Sequence, residues 1–153
     1  MLGDGYFMIP IKELKINNLA FTNLRTKEVG RISEIRQNII TGQDKVKFEY
    51  KDKTYYADTI HPIEITEMFL IRNGWKIDYA KDDLICYVND KLDIDNINYV
   101  KSKNLFYWNC WENTKFPKYI HEFQNFYFSI TGRDLTIAYS PTHMVSGEKV
   151  HHR

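Results

Sequence analysis

The feature that most limits the possible folds is a run of large apolar residues near the C-terminus, spaced for one face of a helix. Tyr119, Phe123, Phe126, Tyr127 and Ile130 fall at i, i+4, i+7, i+8 and i+11, the repeat of a wide amphipathic stripe. Pro117 suits a first turn, and Gly132 lies where a left-handed residue ends a helix. The spacing predicts a helix over 117–131. Such a stripe has to be covered, and a sheet is the surface the rest of the chain offers.

The preceding residues read as short strands. Val46, Phe48 and Tyr50 alternate with Lys45, Lys47 and Glu49, which gives one apolar and one charged face. Ile16–Thr22, Val29–Arg36, Lys45–Tyr50 and Thr54–Ala57 are rich in β-branched and aromatic residues. Asn17-Asn18, Thr41-Gly42 and Lys51-Asp52-Lys53 punctuate them. These strands predict a small, strongly bent antiparallel sheet or an SH3-like barrel. Next comes a short helix, Glu67–Asn73, with Thr66 as N-cap and Gly74 as its stop. Strands are expected at Trp75–Tyr79, Leu84–Asn89, Ile97–Lys101 and Leu105–Trp111, with a last one at Leu135–Tyr139. The class is α+β. One domain is expected over residues 6–140, followed by a flexible tail at 141–153.

Composition narrows the function classes. A chain of 153 residues with 43% apolar and 27% charged residues can bury a core and does not read as disordered. No apolar run approaches the roughly 20 residues that cross a bilayer, and the N-terminus lacks the pattern of a signal peptide. Cys86 and Cys110 lie in apolar, strand-like segments and read as buried free thiols of a reducing, cytoplasmic setting. Net charge is +1, distributed as +3 over residues 1–53, −5 over 54–98 and +3 over 99–153. That is no strong nucleic-acid signature.

The familiar chemistries fail on spacing. His121-Glu122 on the long helix begins like H-E-x-x-H, but position 125 is Asn, so the second imidazole that would share a zinc ion is missing. His121 is therefore expected to hydrogen-bond a neighbouring loop. Asp93 and Asp95 begin like a calcium loop, but Ile97, Asn98 and Asn104 occupy its later ligand and glycine positions. Gly3-Asp4-Gly5 opens no strand–helix phosphate cradle. His151-His152 builds no site by itself. Cys110 sits in an apolar strand, and Asp82-Asp83 in a solvated turn. With no convergent constellation, the expectation is no enzyme, no metal and no cofactor.

What remains points to binding. Phe106, Tyr107, Trp108 and Trp111 put rings on both faces of one strand. Either that strand is covered on both sides or one side is exposed. Phe128 falls off the main helical stripe, near His121 and Gln124, and is a second candidate for an exposed ring. Lys12, Lys15, Arg25, Lys27, Arg31 and Arg36 make the first sheet basic. The candidate binding residues are thus Trp108, Trp111, Phe128, His121 and these six cations.

The segment Tyr119-Ile120-His121-Glu122-Phe123-Gln124-Asn125-Phe126-Tyr127-Phe128-Ser129-Ile130-Thr131-Gly132 resembles the C-terminal signature of small proteins carried by phages, prophages and mobile elements of Bacteroidetes bacteria. In them a His, a Gln-Asn pair, an aromatic pair and a closing Thr-Gly recur. Ile63-Glu64-Ile65-Thr66-Glu67 with Asn73-Gly74-Trp75 looks like their middle helix. Glu13-Leu14-Lys15-Ile16-Asn17-Asn18-Leu19 looks like their first strand, although Gly is usual where Asn17 stands. The resemblance touches most of residues 13–137. It implies a mobile-element setting and carries no catalytic residues. The resulting expectation is a non-enzymatic protein of the host-cell cytoplasm that binds a host protein or ribonucleoprotein, such as a CRISPR-type defence nuclease. The alternative is a nucleic-acid-binding module using the basic sheet.

Overall fold

The computed structural model describes residues 8–50, 53–57, 59–109 and 114–138. The chain divides into two compact units, Met1–Glu64 with Tyr119–Leu135, and Ile65–Lys118 with Thr136–Arg153. Each carries one four-stranded antiparallel sheet, so the fold is α+β with small sheets.

In the first unit, a 3-10 turn at Ile11–Glu13 leads to β1 (Leu19–Asn23), β2 (Glu28–Gln37), β3 (Asp44–Tyr50) and β4 (Lys53–Tyr56). They pair in sequence order, each strand with its neighbour. The sheet is open: among the described residues β4 does not return to β1, so no barrel closes. Register breaks between Phe21 and Asn23 and between Ile32 and Glu34, and such irregularities bend a sheet. The alternation read in the sequence has its counterpart here, since Val46 and Phe48 are buried while Lys45 and Glu49 are exposed. Ile9, Leu14, Ala20, Ile32, Val46, Phe48 and Ile60 form one apolar cluster. Gly30 is needed within it, because a Cβ at that position would stand 2.8 Å from the Phe48 ring.

The long helix, α2 (Ile120–Thr131), belongs to this unit. It begins later than Pro117 predicted. Tyr119 stays extended in a bridge with Glu64, and the first helical amide, Ile120 N–H, donates to the Ile63 carbonyl at 2.8 Å. Gly132 ends the helix with φ 73°, as its position predicted. The buried face differs from the predicted stripe. Ile120, His121, Phe123, Gln124 and Tyr127 are buried, whereas Ile130 is 53% exposed. Apolar spacing placed the stripe, but the bonds that hold the helix to β1 are made by Gln124, which turns that side inward.

The second unit contains the other helix, α1 (Glu67–Arg72), and the strands β5 (Lys76–Lys81), β6 (Leu84–Val88), β7 (Ile97–Val100) and β8 (Leu105–Trp108). Thr66 caps α1 as predicted, its Oγ1 accepting from Phe69 N–H at 3.1 Å. The sheet again follows sequence order, with β5 at one edge. The predicted last strand is not a strand. Residues 135–138 join no ladder among the described residues, and Ala138 N–H donates instead to the Asn73 side chain at 2.8 Å. Leu135 and Ile137 are nevertheless buried. Their alternating burial arises in a segment bonded through a side chain, which period-two patterning cannot distinguish from a paired strand. Tyr139 and the predicted tail lie outside the described residues.

Candidate functional site

In the first unit, the side-chain amides of α2 grip the segment that leads into β1. Gln124 Oε1 accepts from Leu19 N–H at 2.9 Å, and its Nε2 donates to the Asn17 carbonyl at 2.9 Å. Asn125 Oδ1 accepts from Asn18 Nδ2 at 2.9 Å, and its own Nδ2 donates to the Glu13 carbonyl at 2.8 Å. Asn17 holds φ 78°, a left-handed conformation that asparagine tolerates better than most residues. Its side chain donates to Asp134 at 2.9 Å. The Gln-Asn pair is thus a clamp between helix and sheet, made of bonds that apolar spacing does not reveal.

Above this clamp lies a cleft of about 560 Å³, lined by Lys15, Ile16, Ile35, Phe128, Asp134, Leu135 and the four amide residues. Phe128 is 40% exposed, and the Lys15 ammonium lies 4.7 Å from its ring centroid, within cation–π range. Phe128 and Lys15 are therefore the two predicted binding residues that meet.

The β2–β3 hairpin presents a second feature. Its tip, residues 38–43, is tied by Asn38, whose Oδ1 accepts from Ile40 N–H at 3.0 Å and Thr41 N–H at 3.1 Å. Asn38 N–H donates to the Gln43 carbonyl, and Gly42 N–H to the Asn38 carbonyl. On this bonded tip Ile39 and Ile40 are each 96% exposed. Sequence reasoning missed them, since it took Thr41-Gly42 as a turn and looked for aromatic rings. The available signal was two adjacent isoleucines inside a turn, where burial on a sheet face is impossible.

One group of reactive side chains converges, against the expectation that none would. Glu13, His121 and Glu122 bring one ligand atom each to within 4.8 Å of one another. His121 Nε2 is 3.6 Å from Glu13 Oε1, beyond hydrogen-bond length. The predicted bond from His121 to a loop is therefore not made, and neither ring nitrogen has a hydrogen-bond partner. His121 is 1% exposed. Burial pushes its pKa below the ordinary value, outweighing Glu122 and Glu13, which pull it up. Glu122 Oε1 accepts from Tyr119 N–H at 3.2 Å.

The remaining candidates are dispersed. Trp108 is 4% exposed and packs edge-on against Phe116, with centroids 4.8 Å apart, so it offers no surface ring. Trp111 and Cys110 lie outside the described residues. Lys12 and Arg25 are exposed. Lys27 lies over the Phe21 ring at 5.1 Å, and Arg31 Nη1 donates to the Asn17 carbonyl at 3.3 Å. Arg36 pairs with Glu34 at 2.7 Å, and its guanidinium holds the Glu34 carboxyl below the ordinary range. Cys86 is buried, which raises its thiol pKa. No helix among the described residues is long and apolar enough to cross a membrane. Compared with protein families, curated proteins and solved structures, the chain matches none.

Proposed function

We propose that this protein acts by binding another macromolecule, without a reaction of its own, and that the β2–β3 tip is its principal anchor. One observation carries the reading: Ile39 and Ile40 stand almost wholly in solvent on a turn ordered by Asn38. Burying one exposed isoleucine is worth about 1.5–3 kcal/mol. The pair thus offers about 3–6 kcal/mol, roughly a hundredfold or more in affinity, on a tip whose conformation needs little further ordering. A few such side chains dominate most interfaces.

The favoured partner is a protein. Isoleucine makes no hydrogen bond to a phosphate or a base edge, whereas it fills an apolar pocket well. The nucleic-acid reading is weakened because Glu34 neutralises Arg36 on the same sheet. The resemblance of residues 119–132 adds the setting: a mobile-element product in the host cytoplasm, antagonising a host factor such as a CRISPR-type defence nuclease.

The test is capture from bacterial host lysate by the wild-type chain, by an Ile39→Asp/Ile40→Asp variant and by Phe128→Ala. The wild type is expected to retain a protein that the double variant loses. Identical retained sets, or a retained species that is nucleic acid and elutes steeply with salt, would overturn the proposal.

A further inference from the structure

We infer that Glu13, His121 and Glu122 form a binding site for one divalent transition-metal ion of the zinc class. The backbone brings them together from two places. Glu13 closes the 3-10 turn at Ile11–Glu13, and His121 and Glu122 lie in the first turn of α2. Asn125 fixes this approach by donating to the Glu13 carbonyl. Ligand atoms on a tetrahedral zinc ion, with bonds of about 2.0–2.2 Å, stand about 3.4 Å apart. His121 Nε2 and Glu13 Oε1 are already 3.6 Å apart, and all three ligand atoms lie within 4.8 Å, so small side-chain rotations complete the set.

The second observation is the state of the histidine. A side chain 1% exposed, with Nε2 facing a carboxylate 3.6 Å away and neither nitrogen hydrogen-bonded, is unusual. A metal ion gives Nε2 a partner while leaving the ring neutral, as burial demands. Both carboxylates are exposed, so an ion can enter from solvent. Glu122 uses Oε1 on the Tyr119 amide and keeps its other oxygen. One imidazole with two carboxylates suits zinc, manganese or ferrous iron better than copper(I), which prefers sulfur. Three protein ligands leave a fourth position for water.

A second histidine one helical turn beyond His121 is the local mark of a zinc site, and Asn125 stands there instead. The partner comes from Glu13, 108 residues earlier, which no local spacing shows.

The experiment is calorimetric titration of chelator-stripped full-length protein with Zn²⁺. The chain carrying His151→Ala/His152→Ala serves as reference, so that the terminal histidines do not contribute. One equivalent is expected to bind, and thermal stability should rise with added Zn²⁺. Glu13→Gln and His121→Gln, each in the reference chain, should weaken binding at least tenfold, and Co²⁺ should give a visible absorption band that both remove. Glu13 is exposed, so its substitution leaves folding intact even if His121→Gln does not. Absence of stoichiometric binding by the reference chain, or binding undiminished by Glu13→Gln, would overturn the inference.

Discussion

Replacing Gln124 with methionine isolates the contribution of one side-chain amide to the first unit. The two residues are similar in length and in helix propensity, so the helix itself is little disturbed. Two hydrogen bonds are lost. Leu19 N–H, on a buried residue, loses its acceptor at 2.9 Å, and an unsatisfied buried amide costs about 1–3 kcal/mol. The bond from Nε2 to the Asn17 carbonyl is worth about 0.5–1.5 kcal/mol net, nearer the lower end because Arg31 Nη1 also reaches that oxygen at 3.3 Å. Methionine recovers some of this through added apolar contact, leaving an expected loss of about 2–3 kcal/mol against a typical total of about 5–15. For a chain of this size that lowers the melting temperature by about 5–10 °C. Urea denaturation followed by far-ultraviolet circular dichroism measures the loss, and hydrogen exchange at the Leu19 amide locates it. Gln124→Glu is the companion: its carboxylate accepts from Leu19 but opposes the Asn17 carbonyl, so its deficit should shrink as pH falls and the group becomes a donor. A Gln124→Met protein within about 0.5 kcal/mol of wild type, with unchanged Leu19 exchange, would refute the clamp.

Two further outcomes follow from the first sheet. Gly30→Ala should destabilise by about 1–3 kcal/mol, as overpacking does, because its methyl would meet the Phe48 ring 2.8 Å away. An unchanged urea midpoint would show that the ring yields freely. The Tyr55 hydroxyl, partly buried and donating to Glu28, has its pKa pushed up to about 12, by burial first and the Glu28 bond second. Since an unfolded tyrosine ionises near 10, the fold favours the neutral phenol. That contribution is complete below about pH 10 and is lost as pH rises towards 12. Stability measured from pH 9 to 12 should fall less in Tyr55→Phe than in the wild type, and parallel curves would contradict the assignment.

Much of the architecture was legible because it depends on patterns local to each segment. Alternation over Lys45–Tyr50 placed β3, Thr66 placed the start of α1, and Gly132 placed the end of α2. What escaped detection depends on partners far along the chain. The start of α2 is set by Glu64 and Ile63, which hold Tyr119 extended, although Pro117 locally suits a first turn. Its inward face is set by Gln124, a polar residue that hydropathy assigns to solvent. Residues 135–138 have the alternation of a strand, but Ala138 finds an Asn73 side chain where a neighbouring strand would be. Of the candidate binding residues, Phe128 and Lys15 meet at the cleft, while Trp108 is taken up in packing. Ile39 and Ile40, which lie between the strands expected at Val29–Arg36 and Lys45–Tyr50, were overlooked because the candidate anchors were sought among aromatic rings and cations, and the hydrogen bonds of Asn38 show how firmly the turn holds them out.

The division of the chain also constrains how it is made. The first unit needs Leu19 beside Gln124, 105 positions later, and loops of that length close slowly compared with local contacts. During synthesis, β1 to β4 emerge long before the helix that clamps them, so the nascent sheet must wait on the ribosome with that side uncovered. A message truncated before codon 119 would therefore yield a chain permanently held at this unfinished stage, a natural substrate for chaperones and proteases.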